Sequence, residues 1–163
     1  LRIAAALAER GFDIGLDIAG DGPDRARLEA LARSLGAPAR FHGWLDGERL
    51  RGLYRETHWL LGPSRTEGWS RAWSEAAAWR VALAVSAVGS APQTLERTPA
   101  GLVLASADAE TWARRLAERM TAPGGWDELA DRGPALAERF SIERYLDGAR
   151  AVLGLGARRA AAA

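Results

Sequence analysis

The sequence predicts an α/β fold: a parallel, doubly wound sheet, followed by helices at the C-terminal end. Three observations carry this. Short apolar runs alternate with helical stripes, glycines punctuate the joins, and the chemistry-bearing turns follow the apolar runs rather than precede them.

Taken in order, Leu1, Ile3, Ala4, Leu7 and Ala8 form an apolar helical pattern that Gly11 stops. The chain enters this pattern directly and without an initiator Met, so it reads as a piece of something longer. Ile14 to Ala19 reads as a strand running into Gly20-Asp21-Gly22-Pro23. Pro23 suits a first helical turn, and Leu28, Leu31, Ala32 and Leu35 make the buried stripe of that helix up to Gly36. Ala39 to His42 is a short strand, Gly43-Trp44-Leu45 a connection, and Asp46 to Thr57 a helix. The Trp59-Leu60-Leu61 strand, a helix opening near Ser70, and a strand from Val81 to Val85 come next. A helical turn near Pro92 to Glu96 and the strand Gly101 to Leu104 follow. From Asp108 the pattern is helical, broken at Pro123-Gly124-Gly125 and Gly133-Pro134. No internal repeat stands out, and low complexity is confined to the alanine tail.

At 163 residues one domain is expected, with 48% hydrophobic and 26% charged residues placing it among globular chains. Cysteine is absent, which excludes disulfides and thiolate chemistry. All 22 basic residues are Arg, so a Schiff-base lysine and a phosphate-loop lysine are excluded as well. A net charge of +1 gives no field for nucleic acid, although Ala157-Arg158-Arg159-Ala160 is locally basic. No apolar run approaches the ~20 residues of a membrane span, so a soluble, cytoplasmic setting is the default expectation. His42 and His58 are too isolated to indicate a metal site.

The most informative stretch runs from Pro63 to Ala78. It reads as a turn carrying Glu67 that opens into a helix carrying Glu75. The first N–H groups of such a helix, near Gly68, Trp69, Ser70 and Arg71, lack intrahelical partners and sit at the positive end of its dipole, so they favour a phosphate. With Ser70 as cap, Glu75 lies roughly 7 Å further along the axis. There it accepts hydrogen bonds from a diol while Glu67 grips hydroxyls on the other side. Spacing alone is not the signal, since Glu48 and Glu56, and Glu110 and Glu118, are also eight apart and read as solvated helix faces. The strand-turn-helix-strand setting is.

Pro63-Ser64-Arg65-Thr66-Glu67-Gly68-Trp69-Ser70 with Glu75-Ala76-Ala77-Ala78 resembles the Pro-Ser-x-x-Glu-Gly-Phe-Gly and Glu-Ala-Met-Ala elements of retaining GT-B glycosyltransferases of the family-4 group. Gly20-Asp21-Gly22-Pro23 resembles that family's Gly-x-Gly-Pro turn, although Arg25 breaks a dinucleotide fingerprint. Phe41-His42-Gly43-Trp44 is similar to its Phe-x-Gly segment, and Phe140-Ser141-Ile142 to its closing Phe-Ser-Trp. The resemblance implies a Rossmann-like C-terminal half of a GT-B fold, with residues 1–163 as a nucleotide-sugar donor-binding domain. A first, central strand bearing Gly-Arg and then Lys, and an N-terminal acceptor-binding domain, are expected to be missing.

Implied with it are Glu67 and Glu75 as catalytic residues. Gly20, Gly22, Phe41, Gly43, Trp44, Gly68, Trp69, Ser70 and Arg71 are implied as donor contacts, Phe41 with a core aromatic as its other reading. The donor is a UDP- or GDP-sugar, no cofactor or metal is required, and the implied reaction is sugar transfer with retention. Peripheral membrane contact falls to the missing half. Trp69 and Trp73 flank the site as candidate stacking platforms, and Arg25 as a candidate diphosphate contact. Departures include Arg80, Val81 and Ala82 in place of Gly-x-Pro, Ser70 for the second turn glycine, and Gly89-Ser90-Ala91-Pro92-Gln93 for Gly-Gly-x-x-Glu. They keep open an alternative, a noncatalytic GT-B-like binding domain, and beyond it epimerases or phosphorylases of similar architecture.

Overall fold

A computed structural model describes residues 1–105 and 108–154. The basic tail lies outside the described residues. Five strands alternate with helices: α1 (Arg2–Glu9), β1 (Leu16–Ala19), α2 (Arg25–Ser34), β2 (Ala39–Gly43), α3 (Gly47–Glu56), β3 (Trp59–Gly62), α4 (Arg71–Ala78), β4 (Ala82–Ser86), α5 (Ala91–Arg97) and β5 (Gly101–Leu104). Four helices close the described chain: α6 (Ala109–Thr121), α7 (Asp127–Ala130), α8 (Gly133–Glu138) and α9 (Ile142–Val152).

All pairings between strands are parallel. β1 pairs with β2, Leu16 opposite Ala39, while β4 lies between β3 and β5 with Trp59 opposite Ala82 and Leu83 opposite Gly101. The strands therefore fall into two sheets, of two and three strands, and no pairing joins them among the described residues.

β4 shows why the architecture is doubly wound. Its side chains alternate between faces. Leu83 and Val85 pack with Trp73, Ala76 and Ala77 of α4, Leu95 of α5 and Leu136 of α8. Ala84 packs the other way, with Ile3, Ala6 and Leu7 of α1 and Trp112, Ala113 and Leu116 of α6. Both faces are thus covered, and Ala82 to Val85 are fully buried. Small residues on α1 and α4 let these helices approach the sheet closely.

Sequence and structure differ mainly at element starts. β1 begins at Leu16 rather than Ile14, because pairing with the second strand starts where the Leu16 N–H donates to the Pro38 carbonyl. α2 begins at Arg25, after Pro23 in the turn that Gly22 closes onto Arg25. Of the stripe expected to be buried, Ala32 is buried and Leu28, Leu31 and Leu35 are half-buried, since only two strands lie available to cover them. Asp46 caps α3 by accepting from the Arg49 N–H at 2.9 Å. The break expected at Gly133-Pro134 falls at Asp131 and Arg132, just before Gly133-Pro134 opens α8 with proline in its first turn. No helix among the described residues is long and apolar enough to cross a membrane.

Candidate functional site

The turn between β3 and α4 follows the carboxyl end of β3, and Ser70 ends it in an extended conformation, at φ −74 and ψ 134. Ser70 occupies the cap position, yet its hydroxyl makes no capping bond. Its carbonyl takes the Trp73 N–H at 3.1 Å, while the backbone N–H groups of residues 68–72 have no acceptor among the described residues. That leaves a cluster of oriented donors at the positive end of α4.

The two carboxylates differ in setting. Glu67 is half-buried and has no ion-pair partner among the described residues. Glu75, the fifth residue of α4, meets Arg71 Nη2 at 3.2 Å, and that arginine is 94% exposed. The Tyr54 phenol of α3 also reaches Glu75: burial first, then the neighbouring negative charge and hydrogen bond, push the Tyr54 pKa up from its ordinary value. The other eight-spaced pairs are surface features, with Glu110 bridged to Arg10 and Glu118 to Arg114.

The turn is held by its neighbours. The Gly68 carbonyl accepts from the Ser90 N–H at 3.0 Å and from the Ser90 hydroxyl at 3.2 Å. Trp69 stacks on Phe140 at 4.3 Å with rings 6° apart, meets Trp73 edge-on at 5.3 Å, and donates its indole N–H to Ser74 Oγ at 2.7 Å. Trp73 is 2% exposed. Trp73 is thus core rather than an open stacking platform, because burial of its indole area against apolar neighbours outweighs leaving it open, while half-buried Trp69 is fastened through Phe140 to the join before α9.

The second group of residues sits at the carboxyl ends of β1 and β2. The Gly20 N–H donates to the Gly43 carbonyl at 2.7 Å, and the Gly22 N–H to Asp21 Oδ1 at 2.8 Å. Arg25 stitches this region, donating to Glu29 at 2.9 Å, to the Phe41 carbonyl at 3.2 Å and to Asp21 at 3.5 Å. Its guanidinium also faces Gly43, where an added Cβ would lie 2.9 Å from Nη1. The diphosphate contact considered for Arg25 is corrected accordingly: its donors already serve these loops, and the neighbouring acceptors raise its pKa further. Phe41 lines a cavity of about 350 Å³ beneath α2, and Trp44 stands 77% exposed. A second cavity of about 300 Å³ lies between Trp79 and Trp126, and neither cavity includes Glu67 or Glu75. Among the described residues no cluster suited to a metal ion occurs, and His42 bonds Asp17 at 2.6 Å.

A family model for glycosyl transferases group 1 matches residues 1–121. The chain belongs to this family. No curated protein matches it. Among solved structures, sucrose-phosphate synthase from Thermosynechococcus elongatus is similar at 22% identity and TM-score 0.74, over 93% of this chain and 42% of that one. Anabaena HepE in complex with UDP is similar at 15% identity and TM-score 0.78, over 93% and 44%. The catalytic domain of a Helicobacter pylori cholesterol-α-glucosyltransferase reaches 20% and 0.70, over 86% and 87%. The first two relatives show that the chain spans less than half of their length. At these identities the likeness shows the fold alone, an α/β domain matching the Rossmann-like domains of GT-B proteins.

Within this group 1 glycosyltransferase chain, the structure brings Gly68, Trp69, Ser70, Arg71 and Glu75 together around one helix start, with Glu67 in the preceding turn, and Gly20, Gly22, Phe41 and Gly43 around another pair of strand ends. Tyr54 and Ser90 were not found by sequence reasoning. Tyr54 lies in the apolar stripe of α3 with no local sign of its carboxylate partner, whereas Ser90 was visible as the serine where the family motif has its second glycine.

Proposed function

We propose that residues 1–163 form the donor-binding half of a retaining, hexosyltransferase-like enzyme, which moves a sugar from a UDP- or GDP-sugar to an acceptor bound by an N-terminal domain, without metal or cofactor, in the cytoplasm. One observation carries the reading: N–H groups at residues 68–72 without an acceptor among the described residues, with Glu67 before them and Glu75 one turn on. HepE was also solved with UDP-glucose, and the shared fold supports a donor of that kind here.

The N–H cluster receives the diphosphate, and preorganised donors of this kind lower the barrier by several kcal/mol as negative charge grows on the leaving group. Glu67 positions the sugar through its hydroxyls. Glu75 holds the ribose diol, and Arg71, free to turn, moves from Glu75 toward the phosphates. Gly20, Gly22, Phe41, Gly43 and Trp44 approach the nucleotide from the other strand ends. The division of the sheet between β1 and β3 supports a place there for the strand expected ahead of Leu1, bringing Gly-Arg and Lys.

Calorimetry of the complete protein with UDP- and GDP-linked sugars tests this. Glu75→Ala is expected to abolish binding while the fold survives; unchanged affinity overturns the assignment. The noncatalytic reading is favoured by exposed Gln93, which removes a charge from the family pattern, and by the packing of Trp69. Product formation separates the two.

A further inference from the structure

We propose that Ser90 is a positioning residue that sets the direction of the Trp69 amide in the N–H cluster. The inference rests on the donor-site reading above. The carbonyl of Gly68 and the N–H of Trp69 belong to one planar trans unit and point in opposite directions. Whatever fixes that carbonyl fixes that donor.

Ser90 grips the carbonyl twice, through its own N–H at 3.0 Å and its hydroxyl at 3.2 Å. The grip is possible because Gly89 precedes it at φ +55, and any Cβ there would collide with the carbonyl oxygens of Glu67 and Gly68. On the other side of the same peptide, the Trp69 ring is tied by its bond to Ser74 and its stack on Phe140. The Gly68–Trp69 peptide is therefore held at its oxygen by the loop after β4 and at its side chain by α4 and the join before α9. Its N–H, which has no acceptor among the described residues, is left aimed away from Ser90. A glycine at position 90 keeps the backbone half of the grip; the hydroxyl half belongs to serine. One hydrogen bond of two is thus under side-chain control.

The test uses the complete protein with Ser90→Ala, Ser90→Gly and Ser90→Thr, the last keeping the hydroxyl. Two measurements are made: UDP and GDP affinity by calorimetry, and the order parameter of the Trp69 amide by selective 15N-tryptophan labelling, assigned with Trp69→Phe. Removal of the hydroxyl is expected to weaken nucleotide binding about three- to tenfold, as for the loss of one hydrogen bond, and to lower the Trp69 order parameter. Melting temperature stays within a few degrees, and Ser90→Thr restores both readouts. Affinity within twofold of the unmodified protein in Ser90→Ala overturns the proposal, whatever the order parameter does. If the unmodified protein binds neither nucleotide, the donor-site reading falls, and the role of Ser90 as a donor-positioning residue falls with it. An unmodified protein that binds, beside a Ser90→Ala variant that binds equally well, sinks the Ser90 role alone.

Discussion

Gly89→Ala probes the contact on which the candidate site is built. Gly89 lies at φ +55, where an alanine costs about 1–2 kcal/mol. Its methyl would also sit well inside contact distance of the Glu67 and Gly68 carbonyl oxygens, both backbone atoms that no rotamer change can move. The loops must part, which removes the two bonds from Ser90 to Gly68. Ser90 and Gly68 are exposed, so each bond is worth the lower end of ~0.5–1.5 kcal/mol, and together they add about 1–2. The expected loss is about 2–4 kcal/mol, a fall in Tm of roughly 5–15 °C at ~2–4 °C per kcal/mol for a chain of this size. Gly124→Ala is the matched control. It shares a left-handed φ of +74, but its added Cβ meets only the Glu128 side chain, at 3.5 Å, so it costs the backbone strain of about 1–2 kcal/mol alone. Thermal denaturation of both variants isolates the collision as the difference. Equal losses would show that the two loops yield freely, and the account of a fastened turn would be wrong.

Two further outcomes follow from the same geometry. Arg80→Gly is expected to leave Tm unchanged or raise it by a few degrees: Arg80 closes α4 at φ +58, so glycine relieves about 1–2 kcal/mol. Against this stand ~0.4–1 kcal/mol of extra unfolded-chain freedom and an ion pair with Asp131 whose side chains are 57% and 62% exposed, worth about 0–1; a clear drop in Tm would show that this bridge carries more than its exposure allows. In a Tyr145→Phe background Tyr54 is the sole tyrosine, and its absorbance titration should fall above its ordinary pKa of 10.0 and move back toward it in Glu75→Gln. Because the folded-state pKa is the raised one, the folded chain holds the phenolic proton longer, so this contribution to stability is complete below about pH 10 and is lost as pH rises through the folded value; a Tyr54→Phe variant with the same alkaline stability profile would refute the contact.

Much of the fold was legible because the β4 region obeys a simple rule. Buried residues of alternating facing, Leu83 and Val85 against Ala84, require cover on both sides, and the helical stripes before and after supply it. Element starts were less legible. The Ile14 to Ala19 run looks uniformly strand-like, yet a strand exists only where a neighbour accepts its hydrogen bonds, and that neighbour begins at Pro38. The site was legible in its local part, residues 63–78, because a helix start and its donors are set by adjacent residues. What the sequence hid was long-range. Nothing in the spacing of Tyr54 or Phe140 indicates that one reaches Glu75 and the other covers Trp69, since tertiary packing alone makes those pairs.

The source of positive potential at the mouth of α4 has a further consequence. Of the two arginines considered for the diphosphate, Arg25 serves Asp21, Glu29 and the Phe41 carbonyl at the ends of β1 and β2, and Arg71 serves Glu75. With no lysine in the sequence, the fixed attraction for an anion at the proposed site would come largely from peptide dipoles, which are already oriented and need no rearrangement when charge develops. Arg71 adds a movable charge. At 94% exposure its bond to Glu75 is strongly screened, so exchanging that carboxylate for a diphosphate costs little. On the proposed reading, the exchange would free Glu75 for the ribose diol as the phosphates arrive, with the Tyr54 phenol beside the carboxylate. In the proposed donor complex, arrival of the anion and release of the acid are thereby one event. The proposed orientation of the Trp69 amide by Ser90 would set how well that event is prepared.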